Sequence, residues 1–380
     1  VCLIALNCQR LGGEEEMTNR LKLGLVGADA AGRGWGPVAH MPALKGIEQI
    51  ELAALCTSRP ESAAAAAKAY GIRAFHDINE LVAQPDIDII STVVRIPNHY
   101  EVVMAALHAG KHVYCEWPLG ASLSETEEMA TVARDKGVVT AIGLQGRHDP
   151  SLTYIKELYD QGWLGELLTV NLTMQTGGAL ERPSQRDYER EISKGAHLFN
   201  IVGGHTLAYL AYCFGPLSEL SAKVATRVKQ LHMVDSGEMV DAQTPDNVLI
   251  NGVLVNGGLL NYQITAVPYH ADGWRMAVYG SKGTIIATTQ GLPQITPVTL
   301  VGSQGNKPLS ELPVPERLRF VPKAVPFGPP QNVGQAYVRM AEAIRENKGF
   351  EPNFEDALAV HRLLDAIQRS SDEGRVVKLG

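Results

Sequence analysis

The residues best suited to chemistry begin in the stretch GLVGADAAGRGWG, residues 24–36. Gly27 and Gly32 fit the first and third glycines of a G-x-G-x-x-G turn. Asp29 takes the middle place, with Ala30 beside it. In that motif the first glycine makes the tight turn. The second lets backbone approach a pyrophosphate, and the third lets helix and strand pack closely. Asp29 adds bulk and negative charge where approach is needed, and Gly34 and Gly36 imply a looser loop. An ordinary strand–helix turn is the plainer reading of any glycine cluster. The position after a first strand in a βαβ pattern favours a dinucleotide site.

The end of the second β-run bears on which dinucleotide. An acidic residue about 20 positions beyond the motif would hold a ribose 2′-hydroxyl. LCTSRPE instead places Cys56, Thr57, Ser58 and Arg59 there. Hydroxyls beside a guanidinium suit a 2′-phosphate, so NADP(H) is favoured, with NAD(H) the other option. The bland alternative is a solvated Arg59 before an Ala-rich helix. Val94 and Arg95 end another apolar run. Ligands of open α/β sheets bind at such carboxyl ends, so Val94 suits the cofactor and Arg95 the nicotinamide side or an anionic substrate.

Alternating elements position these residues. Strand-like runs at 21–27, 47–57, 87–94, 111–116 and 138–145 alternate with helical stretches. The Ala-rich PESAAAAAKAYG has low helix cost and a fit C-cap in Gly71, and Ser122 with Glu125 makes a capping box. Continuous apolar strands such as IDIISTVV imply a parallel sheet buried on both faces. After about residue 146 longer β-runs appear in pairs joined by NGG and GSKG, which are hairpin signals. The expected fold is α/β: a Rossmann doubly wound sheet, then an α+β domain with a large, mostly antiparallel open sheet. The expected limits are 20–145 for the dinucleotide domain and 146–380 for a substrate and dimerisation domain. The terminal helices are placed to pack back on the first domain. Residues 302–331, rich in Pro and Gly, read as irregular chain.

The chain has 380 residues, a net charge of −7 and 45% hydrophobic content, which fits a two-domain globular protein. No basic run suggests nucleic acid. Its five cysteines are scattered with no C-x-x-C, which argues against a disulfide framework and a metal site. A reducing, cytoplasmic setting without membrane contact is expected. The apolar run before GGEEE is too short to span a membrane. Met17 reads as the start, and residues 1–19 as a poorly ordered extension.

The order of GLVGADAAG, CTSRPE, AGKHVYCEWPL, GLQGRHDP, GWLGEL and VYGSKGTI resembles the glucose–fructose oxidoreductase / inositol dehydrogenase / MocA family over roughly residues 20–370. DAAGRGW, NHYEVVM and EWPL are similar to the subgroup of the fungal galactose-regulon repressor, a dinucleotide-binding regulator that acts through a protein partner. The resemblance implies a sugar or polyol bound between cofactor and second sheet, and a homodimer or tetramer formed through that sheet. It places Glu116, Trp117 and Pro118 on the family's E-K-P triplet, with tryptophan in place of the lysine. It places Trp117 against the nicotinamide or a sugar face. His205 matches the family's helix histidine, while Ile201 and Ala208 replace two acids. His205 is then the catalytic acid or base. His99 matches a histidine that contacts the cofactor region or caps its helix. Tyr188, Arg182 and His197 fall where the family has substrate loops. Two functions follow: an NAD(P)-dependent oxidoreductase, or a silent cofactor-binding regulator.

Overall fold

The computed structural model describes residues 20–380. Met17, the upstream stretch, Cys2 and Cys8 lie outside the described residues. The first sheet contains β1 (Leu21–Val26), β2 (Ile50–Cys56), β3 (Ala74–Phe75), β4 (Ile89–Thr92), β5 (His112–Glu116) and β6 (Thr140–Gly143). Every pairing is parallel, in the order β3-β2-β1-β4-β5-β6. The winding reverses between β1 and β4, so a crevice opens at the loops that follow these two strands.

Helices α1 (Met41–Gly46), α2 (Pro60–Tyr70), α3 (Ile78–Val82), α4 (His99–His108) and α5 (Leu123–Lys136) connect the strands. Pro60 opens α2, where its missing N–H costs nothing, and Gly71 ends it in the left-handed region at φ 68°. Ser122 caps α5 by accepting the Glu125 N–H, and the Glu125 carboxylate accepts from Ala121, one residue before the cap.

Beyond Gly143 the elements are α6 (Pro150–Asp160), β7 (Leu167–Thr176), β8 (Glu181–Arg182), α7 (Gly204–Phe214), β9 (Leu217–Ala225), β10 (Gln230–Met233) and β11 (Met239–Asp241). Then come β12 (Asn247–Leu254), β13 (Leu259–Ala266), β14 (Trp274–Gly280), β15 (Gly283–Thr289), β16 (Thr299–Gln304) and β17 (Ser310–Glu311). The chain ends with α8 (Pro329–Arg345), α9 (Phe354–Glu373) and β18 (Val377–Lys378). Nine strands form the large sheet, ordered β17-β16-β15-β14-β7-β13-β12-β9-β18. Its pairings are antiparallel except β7 with β13.

One face of the large sheet, with Val170, Leu172, Ile250 and Tyr262, shares a core with Leu207, Phe214, Leu358 and Leu364 of α7 and α9. The other face leaves Leu249 and Leu259 exposed. α8 returns to the first sheet, where Val333, Tyr337 and Met340 join Leu23, Leu25 and Ile89 in a second core. Cys56, Cys115 and Cys213 are free and buried. Among the described residues no helix is long and apolar enough to cross a membrane.

Candidate functional site

The glycine turn lies at the reversal of the sheet. Gly27 has φ 116°, and a Cβ there would stand 2.4 Å from the Val93 carbonyl oxygen. The loops after β1 and β4 therefore touch, backbone to backbone. A Cβ on Gly36 would stand 2.5 Å from the Gly27 oxygen. Close approach thus falls on Gly36 rather than on Gly32, the position that the motif spacing singles out. Gly32 and Gly34, at φ 74° and 87°, face open space. A wide π-helical turn, Gly36–His40, then leads into α1. Asp29 does not project its charge into that space alone. Its carboxylate accepts from the Ala31 N–H at 2.9 Å and from Arg33 Nε at 2.8 Å, and these bonds hold its pKa below the usual value. Ala30, half-buried, lies within the same turn. Positive-φ glycines beside open space suit a pyrophosphate, so the turn fits a dinucleotide.

At the end of β2, Thr57 Oγ1 lies 2.8 Å from Ser62 Oγ, and Ser58 and Arg59 are exposed. Among the described residues nothing is hydrogen-bonded to the Arg59 guanidinium.

Glu116 ends β5. Its carboxylate lies 2.8 Å from His40 Nε2 and accepts from Gln145 Nε2 at 2.6 Å. An ionised carboxylate only accepts, so His40 carries its proton on Nε2. Its Nδ1 lies 2.7 Å from the Tyr337 hydroxyl, which lies 2.7 Å from Ser91 Oγ. His40, Gln145 and Tyr337 were not singled out in the sequence. They lie in three separate elements, and no local spacing signals their meeting. His99, the first residue of α4, is buried with Nε2 3.0 Å from the Val94 oxygen and Nδ1 2.8 Å from the Pro118 oxygen. Burial lowers its pKa. It ties the loop after β4 to the turn after β5, where the Trp117–Pro118 peptide is cis.

Trp117 is 5% exposed. Its indole N–H donates to the Asn200 carbonyl at 2.9 Å, and its ring lies 4.8 Å from that of His361. The indole lies against Gly204 at the start of α7. His205 follows. It is partly exposed, its Nδ1 is buried without a partner, and burial pushes its pKa down to about 4. The Glu116 charge is near enough to act against that shift. His197 is buried, with Nδ1 also unpaired and a pKa of about 4 from burial.

Arg95, Tyr188 and Arg182 meet at another edge. The Arg95 guanidinium carbon lies 4.8 Å from the Tyr188 ring centre. Arg182 and Arg186 both bond the buried Glu189 carboxylate. Among the described residues no group of three or more His, Cys, Asp or Glu is gathered for a metal ion.

A six-stranded parallel sheet in this order, with a glycine turn at its reversal, defines a nucleotide-binding Rossmann fold. Residues 21–144 match the model of an oxidoreductase family with an NAD-binding Rossmann fold, and residues 150–289 match the Gal80p C-terminal domain. Residues 21–144 thus carry the NAD-binding domain of this oxidoreductase family, and residues 150–289 a domain of the Gal80p C-terminal kind. It is 29% identical over 284 residues to the dehydrogenase aclE of Aspergillus oryzae, covering 71% of this chain and 77% of that one. It is 30% identical over 257 residues to the galactose/lactose metabolism regulatory protein GAL80 of Saccharomyces cerevisiae, covering 63% of this chain and 59% of that one. It is 25% identical over 369 residues to the scyllo-inositol 2-dehydrogenase (NADP(+)) IolW of Bacillus subtilis, covering 94% and 96%. A solved super-repressor mutant of Saccharomyces cerevisiae Gal80p superposes with a TM-score of 0.84 at 24% identity, covering 95% of this chain and 99% of that one.

Proposed function

We propose that this protein is an NADP(H)-dependent oxidoreductase acting on a sugar, polyol or related carbonyl compound, with His205 as the proton acceptor or donor. The carrying observation is the His205 imidazole, kept neutral by burial, with an unpaired Nδ1 and the Glu116 charge nearby. The bound nicotinamide supplies hydride transfer. His205 takes the hydroxyl proton as a carbinol becomes a carbonyl, and returns it in the reverse direction. Glu116 favours the imidazolium so formed. Trp117, locked by Asn200 and Gly204, backs the site and fixes the start of α7. Gly27, Asp29, Ala30 and Gly32 receive the pyrophosphate, while Val94, His99, Glu116 and Pro118 frame the nicotinamide side. Thr57, Ser58 and Arg59 take the 2′-phosphate. Arg95, Arg182, Tyr188 and His197 contact substrate. The IolW relative, named for NADP(+) and scyllo-inositol, supports both cofactor and substrate class.

A second reading is a cofactor-binding regulator with a protein partner. The Gal80p-type second domain favours it, as do Trp117 and Ile201 at positions where this family's enzymes carry lysine and aspartate. One set of measurements separates the two. NADPH and NADH are titrated by calorimetry, and turnover is followed over sugars, keto-sugars, polyols, uronates and sugar phosphates. Arg59→Ala should weaken NADPH roughly 10-fold and leave NADH unchanged. His205→Ala should lower turnover roughly 100-fold or more with cofactor affinity intact. Tight cofactor binding with no turnover on any substrate rejects the enzyme in favour of the regulator.

The exposed face of the large sheet, with Leu249 and Leu259, is proposed to bury against a second copy. A homodimer or a dimer of dimers results. Light scattering that finds only monomer at micromolar concentration rejects this.

A further inference from the structure

The loop that carries Tyr188 holds an imbalance of charge that hydride transfer does not need. Arg95 follows β4 at the carboxyl end of the first sheet and opens the short helical turn Ile96–Asn98. Its side chain is exposed, and its guanidinium lies over the Tyr188 ring. Tyr188 sits in the 3₁₀ segment Ser184–Arg190. Two residues of that neighbourhood, Arg182 and Arg186, converge on Glu189. Arg186 donates Nε at 2.6 Å and a terminal nitrogen at 2.8 Å, and Arg182 bonds the same carboxylate. The Glu189 side chain is only 10% exposed, so its charge is consumed inside the loop.

The charged groups felt by the Tyr188 hydroxyl are Glu189, Arg95, Arg186 and Arg182. Three guanidiniums therefore face one carboxylate around a single ring. The other acids nearby are engaged elsewhere. Asp187 pairs with Arg190 at 2.6 Å, and Glu191 acts on Arg190 too. Glu181 lies 3.7 Å from His232, and Asp235 accepts from Ser184. Among the described residues no carboxylate is bonded to Arg95. Stacking uses the face of a guanidinium and leaves its edge of N–H donors free. That edge matches two oxygens of a planar or tetrahedral oxyanion. Arg186, 58% exposed, also has donor capacity beyond Glu189.

We propose that Arg95 and Arg186, both beside Tyr188, bind an oxyanion substituent, so that the substrate is an acidic sugar derivative and not a neutral sugar. The oxyanion is a carboxylate or a phosphate. This deepens the oxidoreductase reading and rests on it for the fate of the ligand, whereas the binding itself is measured without turnover.

The test uses the full chain saturated with NADP⁺ and calorimetry with matched pairs: glucuronate, galacturonate and glucose 6-phosphate against glucose and galactose. At least one acid should bind about 10-fold or more tightly than its neutral parent, as expected for charge-assisted hydrogen bonds. Arg95→Gln and Arg186→Gln should each remove most of that advantage. Arg95→Lys should keep part of it, and added salt should reduce it. Preference for a uronate identifies the oxyanion as carboxylate; preference for glucose 6-phosphate identifies phosphate. If no acid outbinds its parent, or if the advantage survives Arg95→Gln, the proposal is overturned. Arg95 is exposed, so Arg95→Gln leaves the fold intact. Following NADPH formation in the same samples reports separately on hydride transfer. An acid bound through Arg95 without turnover supports the oxyanion site while counting against the enzyme.

Discussion

At position 204 a Cβ would stand 2.3 Å from a carbon of the Trp117 indole. The substitution of a lysine position by tryptophan is therefore accommodated by a missing side chain on α7, far away in sequence. Trp117 as a departure was legible in the EWPL stretch, and the large flat ring suggested a wall of the nicotinamide pocket. Its orientation was not legible, because the acceptor for its N–H is the backbone oxygen of Asn200, and any residue type could supply that oxygen. The signal available was the pair Gly203–Gly204, unusual inside a helical stretch. Gly204→Ala should destabilise the protein by about 1–3 kcal/mol, the usual cost of overpacking. Trp117→Leu in the same chain should restore much of that loss. Denaturant midpoints of the two variants check this, and equal midpoints for Gly204→Ala and the unchanged protein contradict it.

Among the elements, the turn after β1 makes a graded prediction. Gly27→Ala drives a methyl into the Val93 carbonyl and imposes a backbone that side chains rarely adopt. Gly32→Ala meets no neighbour, so its cost is the left-handed φ alone, about 1–2 kcal/mol. Cofactor titration followed by fluorescence should show affinity lowered roughly 10-fold or more by Gly27→Ala and by much less for Gly32→Ala. The first domain was readable because buried parallel strands are continuous apolar runs and its long helices α2 and α5 end at glycines. IDIISTVV and PESAAAAAKAYG are of this kind, and they form β4 and α2. The NGG and GSKG hairpins likewise join β12 to β13 and β14 to β15. The strands that escaped notice are short or polar. Ser310–Glu311 is fully exposed edge, and Glu181–Arg182 is two charged residues whose pairing with β10 comes from far along the chain. The site itself was legible in pieces. Arg95, Tyr188 and Arg182 were separately plausible, but only the fold brings them together.

At the scale of the molecule, acid stability is governed by buried histidines. Burial lowers the pKa of His197, His205 and His361 to about 4. Burial, with the charges of Arg339 and Arg147, lowers His148 to about 3. All start from the ordinary 6.5. As pH falls below that value the unfolded chain binds protons that the folded one refuses. The stability these groups give is thus complete above pH 6.5 and is lost toward pH 4. Asp149 has the opposite sign. Burial raises its pKa to about 6, so its contribution falls as pH rises from 3.8. Burial lowers His99 and His112 in the same direction, so six groups oppose one, and Tm should fall by about 5 °C or more between pH 7 and pH 5. A calorimetric Tm that is flat over that interval would refute this balance.

The return of α8 to the first sheet has a further consequence, for the making of the protein. On the ribosome the nucleotide-binding half emerges first. The apolar surface around Leu23, Leu25 and Ile89 then waits for Val333, Tyr337 and Met340, and His40 waits for the Tyr337 hydroxyl. At ordinary rates of synthesis the wait lasts roughly tens of seconds. During that time the nascent sheet is a natural client for a chaperone that holds apolar surface.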